Sequence, residues 1–106
     1  MKINGSIDVP DQVIDDFCRR WKITQIELFG SALRDDFRPD SDIDLLVTFE
    51  KDAPWSLFEF VDMRDELQGI FGRKVDLVER AAIEQSRNPF RKHLILSTAQ
   101  LVYRVA

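Results

Sequence analysis

Asp42 and Asp44 form the first pair of residues whose types and spacing could support metal chemistry. Side chains two positions apart on a strand project from the same face, so these carboxylates would stand about 7 Å apart at the backbone and could share a cation. Aspartate is disfavoured in strands, and such local conflicts are tolerated mainly at functional sites. The alternative interpretation is that Asp42 only ends a polar turn.

Asp76 adds a third carboxylate, between Val75 and Leu77 in an apolar segment. An unpaired charge buried there would carry a large desolvation cost or take up a proton, so a compensating partner is expected. A salt-bridged or edge-exposed aspartate is the alternative. If the three carboxylates converge, their hard oxygen ligands favour Mg²⁺ or Mn²⁺ over zinc, and two such ions could clamp both sides of a phosphoryl displacement.

Gly30 and Ser31 could form the other half of a site, because they follow an apolar segment and precede a short helical one. A strand that turns into a helix directs free backbone N–H groups at an anion, and glycine allows that anion to approach closely. Arg34 lies about one turn further on and could reach triphosphate oxygens, or pair with Asp35 or Asp36 instead. A Gly-Ser pair is also common in ordinary loops, so this signal is weak alone.

A mixed α/β (α+β) fold is predicted from the pattern of apolar residues. The predicted helices are an amphipathic helix over 8–22, a short stretch over 32–35, a long helix over 54–70, a turn over 81–85 and a last helix over 89–97. One predicted strand contains Ile26 and Leu28 and ends at Phe29. Three others run over 42–49, 74–79 and 100–105. The turn and the three carboxylates thus fall at strand ends or on strands, where a sheet could bring them together.

The composition excludes several classes of protein. The 106 residues fit one small domain over 1–106, and 44% hydrophobic with 32% charged residues is typical of a globular chain. A net charge of −4 without a basic run argues against a stable nucleic-acid complex, and neither a signal peptide nor a membrane-spanning segment is evident. A cytoplasmic protein is expected.

Three further features have ordinary structural interpretations. The lone Cys18 reads as a small core residue, and Trp21 and Trp55 as core or interface aromatics. A small basic group reads as a solvated helix face: Arg87, Arg91, Lys92 and His93.

The combination of Gly30-Ser31, ten intervening residues, Asp42-Ile43-Asp44 and a later strand aspartate, Asp76, resembles the DNA polymerase β-like nucleotidyltransferase superfamily. The segments that begin at Phe29 and Arg38 are similar to those of minimal nucleotidyltransferase (MNT) proteins, MntA-like antitoxins of HEPN/MNT toxin–antitoxin pairs. The run from Asn88-Pro-Phe-Arg91 to Tyr103 fits their C-terminal pattern.

This resemblance implies a short mixed sheet of three to four strands with helices on one side. It implies metal ligands at Asp42, Asp44 and Asp76, a phosphate-binding turn at Gly30 and Ser31, and ATP as substrate with Mg²⁺ or Mn²⁺. Many such proteins pair with a HEPN-family ribonuclease toxin, and some transfer AMP to a toxin tyrosine, so a hetero-oligomer is expected. The acidic Asp35-Asp36 pair departs from relatives that often carry a small residue or glycine first.

Two other functions remain open from the sequence. A catalytically idle antitoxin could neutralise its toxin by binding alone, and an acidic chain with exposed aromatics would suit a basic partner. Alternatively, the same site could transfer a nucleotide to a small molecule or to RNA, although so short a chain leaves little room for a second recognition surface. The set of three carboxylates favours the enzyme with a partner protein as acceptor.

Overall fold

A computed structural model describes residues 1–34 and 37–106, apart from the side chains of residues 31 and 32. The strands are β1 (Lys2–Ile3), β2 (Ile7–Asp8), β3 (Ile23–Phe29), β4 (Ile43–Phe49), β5 (Val75–Glu79) and β6 (Gln100–Arg104). The helices are α1 (Asp11–Arg20), α2 (Leu57–Phe71), α3 (Arg80–Glu84) and α4 (Pro89–Thr98), and a 3-10 turn covers Gly30–Leu33.

The main sheet has the strand order β5-β4-β3-β6. β4 and β5 run parallel and are joined by the crossover helix α2, whereas β3 is antiparallel to both β4 and β6. This four-stranded mixed sheet with helices confirms the fold class expected from the sequence. The structure also confirms the ambiguous last strand as β6.

Local sequence signals set the ends of α1 and α2. Pro10 precedes α1, where its missing N–H is not needed. At α2, the Glu59 carboxylate accepts a hydrogen bond from the Ser56 backbone N–H at 3.0 Å, as in a capping box. Gly72 ends α2 in the left-handed conformation, with φ of +69°.

The larger hydrophobic core lies on one face of the sheet, beneath α1 and α2. Its sheet side is formed by alternate strand residues, including Ile26, Ile43, Leu45, Val47, Val75 and Leu77. From the helices come Phe17 and Cys18 of α1 and Met63 and Leu67 of α2, all fully buried. Desolvation raises the pKa of the Cys18 thiol to about 12, which confirms its interpretation as a core residue.

A smaller core lies on the opposite face, beneath α3 and α4. Phe29 and Leu46 from the sheet pack there against Ile83 of α3 and Ile95 of α4. The resemblance implied helices on one side only; α1 and α2 follow that arrangement, while α3 and α4 cover part of the second face. Sequence periodicity indicates that a helix has an apolar face, but it does not indicate which face of the sheet that helix covers.

The short strands β1 and β2 form an N-terminal hairpin that the sequence reading did not predict. Its turn contains Asn4 and Gly5, both at positive φ. Strands of two residues carry no measurable alternation, which explains why this hairpin is invisible to pattern analysis. Among the described residues, no helix is long and apolar enough to cross a membrane.

Candidate functional site

Asp44 and Asp76 are direct neighbours across the parallel pair β4 and β5. Each is the second residue of its strand, and the register pairs Asp44 with Asp76. Strand alternation directs both side chains to the face that carries the smaller core. Both carboxylates therefore lie on one face, near the beginning of their strands. Asp44 is half-buried and Asp76 is exposed.

Asp42 lies immediately before β4 and is exposed. The next residue, Ile43, donates its backbone N–H to the carbonyl of Lys74 at 3.0 Å, which keeps the two strands aligned at this end. The sequence prediction that Asp42 and Asp44 stand at the beginning of a strand is therefore confirmed. Whether they bind a metal stays a prediction.

The 3-10 turn that follows β3 lies directly against Asp44. Phe29, the last residue of β3, pairs with Asp44 in the antiparallel register. Gly30 has φ of +69°, and a β-carbon built on it would stand 3.0 Å from Cγ of Asp44 and closer still to Oδ2. The backbone conformation at position 30 therefore favours glycine, and a β-carbon there would also displace the carboxylate of Asp44.

The predicted phosphate turn and the residues after it lie partly outside the described structure. The backbone of Ser31 belongs to the 3-10 turn, but its hydroxyl lies outside the described atoms. Asp35 and Asp36, the departure from the related proteins, lie outside the described residues altogether. Arg34 is exposed at the end of the turn, and its carbonyl accepts a hydrogen bond from the Asn4 side-chain amide at 3.1 Å.

Arg73 holds the loop that leads into Asp42. Its guanidinium carbon lies 4.6 Å from the centre of the Phe37 ring, and its Nη2 donates to the Arg38 carbonyl at 3.0 Å. Ser41 closes the same loop by accepting the Arg38 backbone N–H at 3.0 Å. The sequence reading missed Arg73, because its role depends on a contact between distant parts of the chain.

The donor set fits a hard divalent cation, but the three carboxylates are not assembled as a trio. Within residues 1–34 and 37–106, no group of three or more His, Cys, Asp or Glu side chains is close enough together to hold a metal ion. The register supplies a pair, Asp44 and Asp76, with Asp42 two residues before Asp44. Carboxylate oxygens of this kind are the ligands that Mg²⁺ and Mn²⁺ prefer.

A cavity of about 410 Å³ opens between the 3-10 turn and α4. The residues that line it include Gly30, Leu33 and Arg34 from the turn and Arg91, Leu94 and Ile95 from α4. Arg91 is exposed, as expected of a solvated basic face, and it also borders the cavity beside Gly30. Arg87 and His93 are exposed, as that interpretation expected.

Trp21 and Trp55 lie away from this turn and pack against each other. Their rings make an edge-on contact with centroids 5.2 Å apart, and both side chains are half-buried against the larger core. Trp55 donates its ring N–H to the Trp21 carbonyl at 2.6 Å. The prediction that they are core aromatics is confirmed.

The mixed sheet thus sets a glycine turn against the carboxylate of Asp44, which is paired with Asp76 on the neighbouring strand. The family model for the nucleotidyltransferase domain matches residues 10–102, nearly the whole chain. This protein therefore belongs to the nucleotidyltransferase domain family.

Comparisons with individual proteins identify more specific similarities. The chain is 37% identical over 65 residues to the protein adenylyltransferase MntA of Thermococcus cleftensis, a match that covers 61% of this chain and 64% of that protein. It matches a solved structure provisionally described as a minimal nucleotidyltransferase, with 27% identity, a TM-score of 0.62 and coverage of 87% and 86% of the two chains. A toxin–antitoxin structure solved with AMP-PNP shares the fold, with a TM-score of 0.66, 18% identity and coverage of 92% and 75%.

Proposed function

We propose that this protein is a protein adenylyltransferase that acts as an antitoxin by transferring AMP from ATP to a partner toxin. One observation carries the proposal: the Gly30 backbone lies against the carboxylate of Asp44, which is itself aligned with Asp76. A phosphate held at this turn would stand beside carboxylates suited to divalent cations. The similarity to MntA supports adenylyl transfer, and the toxin–antitoxin neighbour supports the class of partner.

The proposed roles divide between the strands and the turn. Asp42 and Asp44, together with Asp76, would hold Mg²⁺ or Mn²⁺, while the backbone of Gly30 and the hydroxyl of Ser31 would hold the triphosphate. Arg34 would contact its outer oxygens. Bound divalent cations would neutralise the triphosphate and acidify the attacking hydroxyl in a two-metal arrangement.

The reaction is a displacement at the α-phosphorus of ATP. A hydroxyl oxygen of the acceptor forms a bond to that phosphorus, the bond from phosphorus to the bridging oxygen breaks, and pyrophosphate leaves with the bond electrons. Asp76 is exposed on the shared face and would accept the hydroxyl proton. The acceptor proposed here is a tyrosine of a HEPN-family toxin, in line with the resemblance of the Gly30 to Asp44 segment.

The decisive experiment is a mass measurement on the partner after incubation with this protein, ATP and Mg²⁺. We expect the partner to gain the mass of one or more AMP groups, and the double variant Asp42→Ala, Asp44→Ala to give no gain. Asp62→Ala is the matched control, because Asp62 is exposed on α2, away from the site, and should leave the transfer intact. An unmodified partner with the wild-type protein, or equal transfer by the double variant, would refute the proposal.

Neutralisation by binding alone is the second candidate, and the exposed apolar residues of α2 favour it. Leu57 is 77% exposed and Phe58 is 84% exposed at the beginning of this helix. Such side chains are common at protein interfaces. If binding suffices, the double variant Asp42→Ala, Asp44→Ala still protects cells that express the toxin; protection lost while binding is retained would exclude this candidate.

A further inference from the structure

Helix α4 brings an arginine to the same cavity as the predicted phosphate turn. The cavity of about 410 Å³ is bordered on one side by Gly30 and Arg34 and on the other by Arg91. Its walls include Leu33 and Leu94, so the two arginines border a partly apolar space. Arg34 and Arg91 are both exposed residues that border this space, so an anion that entered it would meet two guanidinium groups.

The two arginines differ from four other arginines of the protein in their partners. Arg19, Arg20, Arg64 and Arg80 each form a salt bridge with a carboxylate. Within the described part of the chain, neither Arg34 nor Arg91 forms one, and the described lining of the cavity contains no acidic residue. Two positive charges at a cavity whose described lining contains no acidic residue favour an anionic occupant.

The position of Arg91 is fixed by its helix. The Asn88 side chain caps α4 by accepting the backbone N–H of Arg91 at 3.1 Å, and Pro89 occupies the first turn. Ile95, one turn later on the same helix face, packs against Phe29 in the smaller core. Phe29 immediately precedes Gly30, so α4 and the turn are anchored to the same strand end.

We propose that Arg91 is a substrate-contacting residue that binds the β- and γ-phosphates of the nucleoside triphosphate from the side opposite Arg34. This inference rests on the proposed function and adds α4 to the nucleotide site. A planar guanidinium can form two parallel hydrogen bonds to phosphate oxygens, which would steady the pyrophosphate as it becomes the leaving group. A lysine at position 91 would keep the charge and lose the paired geometry.

The test is the equilibrium binding of Mg²⁺–AMP-PNP and of AMP to the purified protein by calorimetry. For Arg91→Ala we expect the dissociation constant of AMP-PNP to rise about tenfold, the loss of one charge-assisted contact, with partial rescue in Arg91→Lys. AMP lacks the β- and γ-phosphates, so its binding should change little. Arg87→Ala is the matched control, because Arg87 is exposed nearby and does not line the cavity.

The outcomes separate the inference from the function on which it rests. Wild-type protein that binds AMP-PNP, with Arg91→Ala equal to Arg87→Ala, refutes the inference alone. An equal loss of AMP and AMP-PNP binding in Arg91→Ala also refutes it, because a displaced helix would act on both nucleotides. Wild-type protein that binds no nucleotide in the presence of Mg²⁺ overturns the proposed function and this inference together.

Discussion

The backbone of Gly30 is packed against the carboxylate of Asp44, with no space between them for a side chain. A β-carbon at position 30 would meet Oδ2, Cγ and Cβ of Asp44. The strand register reinforces this contact, because Phe29 pairs with Asp44 directly. The phosphate turn is therefore in close contact with the proposed metal ligand.

Replacing Gly30 by alanine should disable the site. The left-handed conformation alone costs alanine about 1–2 kcal/mol, and the clash with Asp44 adds to this by pushing its carboxylate away. We expect loss of AMP transfer and of nucleotide binding, measured by mass spectrometry and calorimetry. Gly72→Ala is the matched control, because Gly72 has the same φ of +69° with nothing within 4 Å of its β-carbon. Retained transfer in Gly30→Ala would contradict the close contact.

The pair of Asp44 and Asp76 predicts a stability change that depends on divalent cations. Like charges at directly paired strand positions destabilise a sheet by up to about 1 kcal/mol. In the absence of divalent cations, Asp76→Asn should therefore melt at a higher temperature than the wild type. Mg²⁺ should raise the melting temperature of the wild type and raise that of Asp76→Asn less. Asp62→Asn should respond to Mg²⁺ as the wild type does, and identical responses of all three would contradict a cation site here.

Removing one partner of the ion pair between Glu27 and Arg80 should lower the free energy of unfolding substantially. Glu27 is only 8% exposed, and Arg80 Nη1 donates to both of its carboxylate oxygens at 2.7 Å. Arg80→Met should destabilise the protein by about 3 kcal/mol, because it leaves a buried charge unpaired. Glu27→Leu combined with Arg80→Met should recover most of that loss in denaturant unfolding. If the double variant is as unstable as the single one, desolvation of Glu27 is not the cause.

Tyr103 should titrate at a higher pH than an ordinary tyrosine. Its hydroxyl donates to Asp15 at 2.8 Å, and this hydrogen bond, with smaller contributions from burial and charge, raises the pKa of Tyr103 to about 12. Because the folded pKa exceeds the ordinary value of 10.0, the contact stabilises the fold fully below pH 10 and less as pH rises through 12. The chain has a single tyrosine, so the increase in near-ultraviolet absorbance on tyrosinate formation reports the ionisation of Tyr103 alone.

In the same titration, Asp15→Asn should move the pKa of Tyr103 back towards its ordinary value. Asp16→Asn should not, because the Asp16 side chain is exposed and accepts from Gln12 instead. The same hydrogen bond acts on Asp15, whose pKa is lowered first by Arg19 and then by Tyr103. A midpoint for Tyr103 that Asp15→Asn leaves unchanged would contradict the contact.

The main elements were predictable because their apolar residues recur with clear periods. The alternation of Ile26 and Leu28 and the apolar run after Asp44 correspond to β3 and β4, whose residues fill the larger core. The carboxylates and Gly30 were identified by residue type and spacing, and the register then showed which of them are adjacent. Spacing alone could not have shown that Asp76 lies opposite Asp44 and not opposite Asp42.

The contacts that escaped prediction are those between polar side chains far apart in the chain. Arg80 reaches Glu27 across the sheet, and Arg73 reaches Phe37 and Arg38 across the entrance to β4. Neither pair leaves a periodic trace, because each partner looks like an ordinary charged or loop residue in its own segment. The position of Arg91 beside the cavity was not predicted either, since its neighbours on α4 indicated only a solvated face.

The parallel pairing of β4 and β5 also bears on how the protein folds. Parallel strands need a crossover, so Asp44 and Asp76 meet only after α2 has formed and packed back on the sheet. Closing a loop of that length is entropically unfavourable, and contacts that depend on it tend to form late. A cation that binds both carboxylates would thus recognise only chains in which β4 and β5 have paired, and the rise of its binding signal during refolding would report that pairing.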